Sequence, residues 1–161
     1  MGELKHLDPV ALRKLIKDTL VPMALYSPDV EELLMATCAQ ESLLGTYRHQ
    51  VNGPAIGIFQ DEPGDFNDIW DNFLSRSKLG DMIGALASTQ PPRPIELQNN
   101  DKFAIAICRA HYLRVKHPLP SASDLDGLFW YYKRYYNSLE GAATQEEFNR
   151  HYQELVNGPA K

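Results

Sequence analysis

The sequence predicts an all-α fold in a single domain, on three observations. Cap-and-proline pairs that open helices recur, as at Asp8-Pro9 and Ser27-Pro28. Apolar residues then return at helical spacing, whereas runs alternating at period two hardly occur. A chain of 161 residues supports one real core and not comfortably two, so residues 1–161 are read as one unit.

Taken in order, the first helix follows Asp8 and Pro9, with Leu12, Leu15, Ile16 and Thr19 on one face. The second opens at Ser27-Pro28 and is expected to run to about Gly45, where a missing side chain suits a left-handed stop. "FNDIWDNFL" after Asp65 and "KLGDMIGALA" supply a third and a fourth. "STQPPRPIELQNN" has three prolines and no periodicity, and reads as a loop. From Asp101, "DKFAIAICRAHYLRV" carries Ala104, Ile107, Cys108, Tyr112 and Val115 on one side and more apolar residues on the other, the pattern of a central helix buried nearly all round. "KHPLPSAS" is a second loop ending in Ser123 as a cap, before a helix with Leu125, Leu128, Phe129, Tyr132 and Tyr136 on one face. Thr144 and Glu147 form a capping box for the last helix.

Composition narrows the function classes. Hydrophobic residues at 43% and charged residues at 23% exclude disordered, fibrous and membrane-type chains. A formal charge of −5 gives no long-range attraction for phosphates, and Lys133 and Arg134 in "YYKRYY" read as the wet side of a helix, so no nucleic-acid partner is expected. No run approaches the roughly 20 apolar residues that cross a bilayer, and "MGELKHLDPV" lacks the apolar core of a secretion signal. The expectation is synthesis in the cytoplasm without a signal peptide and no membrane insertion. Cys38 and Cys108 fall in apolar stripes without metal spacing and read as buried free thiols, so neither metal nor cofactor is called for. His49, His111 and His117 show no ligand spacing; His111 reads as a core histidine, and Trp70 and Trp130 as core anchors.

One residue breaks its pattern. Val30, Leu33, Leu34, Thr37 and Cys38 make the inward stripe of the second helix, and Glu41 is its next member, eleven positions after Val30. Eleven residues make about three turns, so this carboxyl points within about 20° of Val30's direction. Removing a carboxylate from water raises its pKa above about 4.3 unless a cation or several donors compensate. An acid still protonated near neutrality at the mouth of a cleft is what protonation of a departing glycosidic oxygen requires. The alternative is a Glu41 that reaches the surface and is solvated or paired with Arg48.

From Glu41 the chain continues "ESLLGTYRHQVNGPAIGIFQDEP". Glu41-Ser42 closing a helix, then Gly57-Ile58-Phe59-Gln60 and Pro63, resembles the lytic transglycosylase family with the goose-type lysozyme fold. "AICRAHYL" and "YYNSLEGA" resemble two further segments of that family in the expected order, so the likeness spans about residues 30 to 145. Phage-encoded members are the nearest in wording. Departures are Ile58-Phe59 for Leu-Met, Ser138-Leu139 for Ala-Gly, and Ile105 and Arg109 where the family usually has Asn and Gly.

The resemblance implies a lysozyme-like single domain with a cleft, no cofactor, and peptidoglycan glycan strands as partner. It implies that Glu41 protonates the β-1,4 oxygen between N-acetylmuramic acid and N-acetylglucosamine, then deprotonates the C6 hydroxyl to close a 1,6-anhydro ring. Ser42, Ile58, Phe59, Gln60, Tyr136 and Asn137 would bind substrate. Action at the bacterial wall, with delivery through a holin-like pore or in a virion among phage proteins, follows from the same likeness. Two alternatives stay open. One is a hydrolytic muramidase, which needs a second carboxylate to activate water; Asp61, Glu62, Asp65 and Asp68 follow Gln60, but their density reads as a solvated turn and helix start. The other is a catalytically lapsed structural or wall-binding part of a phage particle, which suits the net acidity.

Overall fold

The computed structural model describes residues 5–138 and 141–157. Among these are eight α-helices and no strand, so the fold is all-α. They are α1 (Pro9–Leu20), α2 (Pro28–Ser42), α3 (Pro63–Ile69), α4 (Lys78–Gly84), α5 (Glu96–Asn99), α6 (Asp101–Leu113), α7 (Leu125–Tyr132) and α8 (Gln145–His151). Helix α5 lies inside the segment expected to be loop. Its single turn forms just beyond the three prolines and is too short to show a period.

Side-chain caps set most of the starts. Asp8, Ser27, Ser77 and Asn100 each accept a backbone N–H three residues on, as does Asp124 at α7, one residue beyond the expected Ser123. Each such cap is worth about 1 kcal/mol. Thr144 accepts from the Glu147 N–H at 3.2 Å, while the Glu147 carboxylate takes the Gln40 amide instead.

Helix α2 is the central column, packed against α1, α6, α7 and α8. From Leu33 to Ala39 every residue is buried, so the helix is enclosed on all sides rather than striped. Helix α6 is the second buried column, as its pattern predicts. The two are tied where Thr37 gives its only hydroxyl proton to the Leu33 carbonyl at 2.7 Å and so must accept from the Tyr112 hydroxyl at 2.8 Å. Away from the cleft, Arg13 of α1 bridges Glu31 and Glu32 of α2, and Tyr152 donates to Glu32, fastening the last described turn to the same point. Trp70 is partly buried, but Trp130 is 55% exposed: its ring meets Phe129 edge-on from the outer side of α7, so it is not a core anchor.

Helices α3, α7 and α8 each run on into one π-type turn, over Trp70–Leu74, Lys133–Asn137 and Tyr152–Val156. A π turn holds one residue more than an α turn and shifts the register of everything after it. The turn after α7 carries Tyr136 and Asn137. Leu139, which stands where the resembled family has Gly, lies outside the described residues.

Candidate active site

Helix α2 stops at Ser42, three residues before Gly45, because the chain turns left-handed at Leu43, Leu44 and Gly45 in succession, with φ of 51°, 54° and 84°. For Leu this conformation costs on the order of 1 kcal/mol per residue. Several contacts hold it: Leu44 N–H donates to the Cys38 carbonyl, Gly45 N–H donates to Ser42 Oγ at 2.7 Å, and Leu7 N–H donates to the Leu44 carbonyl at 2.8 Å. Arg48 binds both oxygens of Asp101, at 2.6 and 2.9 Å, anchoring the following segment to the start of α6. Arg48 is therefore spent on Asp101, not on Glu41.

The Gly57-Ile58-Phe59-Gln60 turn is the hub of the site. Gly57 has φ of +83°, and a Cβ there would lie 2.3 Å from the Leu97 carbonyl oxygen, so only glycine fits. Its three successive carbonyls each take a side-chain donor: Gln60 Nε2 at 2.9 Å, Ser42 Oγ at 2.6 Å and the Tyr136 hydroxyl at 2.7 Å. The turn is thus fastened to the end of α2 and to the π turn after α7. It leads into Asp61, whose backbone exchanges two hydrogen bonds with Ile56.

This turn borders a cavity of about 770 Å³, open on one side. Glu41, Asp61 and His111 line it together with Gln60, Tyr136 and Asn137. It is also lined by Glu62, by Asp65 and Asp68 of α3, and by Arg114, Lys116 and His117 after α6. Four of the seven residues expected at the site, Glu41, Gln60, Tyr136 and Asn137, therefore converge on one cleft. Ser42, Ile58 and Phe59 do not line it. Ser42 is buried with its hydroxyl committed to backbone, and Ile58 and Phe59 point into the core. Their place is behind the cleft wall, where the apolar side chains of the turn fill the core.

Glu41 is half-buried and accepts a hydrogen bond from the Tyr132 hydroxyl at 3.0 Å. Burial pushes its carboxyl up to about 7; the Tyr132 bond opposes that and the negative charge of Asp61 adds to it. Such an acid keeps much of its proton near neutrality and loses it readily, the property needed in a group that acts as acid and then as base. Tyr136 stacks on Tyr112 and Tyr132 and meets His111 edge-on, making an aromatic wall beside the acid.

Sequence reasoning missed two residues. Asp61 is only 7% exposed, and its carboxylate binds His111 Nε2 at 2.9 Å. Glu62, Asp65 and Asp68 are indeed exposed, before and along α3, with Asp68 paired to Arg114, so Asp61 alone departs from the solvated cluster. Its position directly after Gln60 was the available signal. His111 reaches across the cleft to a partner fifty residues away, and no local pattern marks that pairing. Among the described residues no group of acidic, histidine or cysteine side chains could hold a metal ion. No family model, curated protein or solved structure matches the chain.

Proposed function

We propose that this protein cleaves the β-1,4 bond between N-acetylmuramic acid and N-acetylglucosamine in peptidoglycan, as a lytic transglycosylase with Glu41 as acid and then base. The observation that carries the reading is the half-buried Glu41 carboxyl, held near 7 on the lining of a cleft of about 770 Å³. Support also comes from the lining, where hydroxyl, amide and charged groups stand beside a tyrosine wall, the mixture that binds sugar polymers.

In the first step the C1–O4 bond breaks, its electron pair stays on O4, and O4 takes the Glu41 proton. The carboxylate left behind removes the proton of the C6 hydroxyl as O6 bonds to C1. Water is not consumed and Glu41 is restored. A wall enzyme delivered in a phage particle or through a membrane pore fits this chemistry.

Digestion of purified peptidoglycan by wild type and Glu41→Gln, with product ends identified by mass, tests the proposal. Anhydro ends from the wild type and none from the variant are expected. Reducing ends would replace the transglycosylase by a hydrolytic muramidase, equal activity in both proteins would remove Glu41 from the chemistry, and an inert wild type would favour a wall-binding structural part.

A further inference from the structure

We propose that Asp61 is a second functional carboxylate of this cleft, facing the positive charge that develops at the anomeric carbon as the glycosidic bond breaks, with His111 as its positioning residue. The proposal rests on the glycosidase reading above and adds to it a group that takes no part in proton transfer.

The geometry sets Asp61 apart from every other acid here. It sits on the cavity lining yet is almost fully buried, and its backbone is fixed by the paired bonds to Ile56. Its side chain is held from the opposite element by His111 of α6, itself wedged edge-on against the Tyr136 ring. A carboxylate on an exposed turn needs no such support. One fixed beside a reacting centre stabilises charge there without having to reorganise.

Asp61 and Glu41 both line the cleft, and the charge of Asp61 acts on Glu41. The other groups around Glu41 are Tyr132 of α7, Cys108 and Tyr112 of α6, and Tyr136 of the π turn, all held above their usual ranges by burial and so uncharged near neutrality. Burial sets most of Glu41's proton affinity, and Asp61 is the neighbour whose negative charge adds to it. No bond forms to Asp61 in the proposed step. The electron pair leaves with O4, the positive charge on C1 is neutralised when O6 bonds, and the Asp61 carboxylate is unchanged throughout.

The test compares wild type, Asp61→Asn, His111→Gln and His111→Leu, each checked for native melting, in kinetics on soluble glycan fragments and in NMR titration of the Glu41 carboxyl. Asp61→Asn is expected to lower kcat roughly 100-fold with KM little changed, the usual scale for losing one fixed electrostatic contact. Removing its negative charge also makes Glu41 easier to ionise, so the Glu41 titration and the alkaline limb of the rate profile should move to lower pH. His111→Gln, which keeps a donor for Asp61, should retain more activity than His111→Leu. A folded Asp61→Asn protein with wild-type kcat, or with an unmoved Glu41 titration, overturns the inference while leaving Glu41 as the acid. An inert wild type defeats the glycosidase reading and this inference together.

Discussion

Glu41 shows at the scale of one residue what a buried acid can cost its fold. Its carboxyl is raised from the usual 4.5 to about 7, so the unfolded chain ionises first and the folded chain resists. At roughly 1.4 kcal/mol per pH unit, a penalty on the order of 3 kcal/mol builds up over that interval and stays constant above it. The sign follows from the raised value: Glu41's contribution is fully favourable below about 4.5 and is lost as pH rises through about 7. Glu41→Gln, which cannot ionise, should therefore stabilise the protein at pH 8 by up to about 3 kcal/mol, or on the order of 5–10 °C in Tm, and be nearly neutral at pH 4.5. Melting curves at the two pH values check this, and an equal effect at both would place Glu41 in solvent. The sequence shows this residue because a glutamate eleven positions along a buried stripe must face inward. Asp61 and His111 are invisible to the same reasoning, since what buries and pairs them comes from elements fifty residues apart.

Among elements, the 57–60 turn matters more as a frame than as a surface. Ser42, Gln60 and Tyr136 each give a proton to one of its carbonyls, so residues that the motif suggests for sugar binding also fix the frame of the cleft. Ser42→Ala leaves the Ile58 carbonyl and the Gly45 N–H without the partner each has in the core, a loss of about 2–3 kcal/mol. Urea unfolding should show that loss, and kinetics should show a lower kcat at unchanged KM, because the wall shifts but no substrate contact disappears. A raised KM with full stability would instead make Ser42 a direct sugar ligand. Gly57→Ala should be more severe, since the new methyl meets the Leu97 carbonyl in a backbone conformation already unfavourable to a side chain. The sequence located this turn by its residues, but which of their atoms face sugar and which face backbone depends on the π turn after α7, whose extra residue no helical wheel anticipates.

For the whole molecule, the helices that carry long apolar patterns and clear caps, α1, α2 and α6, were legible, while α5 was hidden behind prolines and the exposed side of Trp130 behind its size. Net charge acts at this scale too. The chain carries −5, and Glu41, Asp61, Glu62, Asp65 and Asp68 all border the cleft, against His111, Arg114, Lys116 and His117 on the other side. Of those, Arg114 is already bound to Asp68 and His111 to Asp61, which leaves the acids in excess at the opening. On the proposed function the substrate is intact wall material, which bears many carboxylates, so approach would be opposed by like charge over a Debye length of about 30 Å at 0.01 M salt and only about 8 Å at 0.15 M. The rate of release from intact peptidoglycan should therefore rise severalfold between these ionic strengths. Cleavage of a short neutral oligosaccharide should stay nearly flat, because catalysis inside the cleft is little screened. Parallel assays on the two substrates separate the effects: a rate on intact wall that falls with salt would require a basic docking surface, which the distribution of charge around this cleft does not supply.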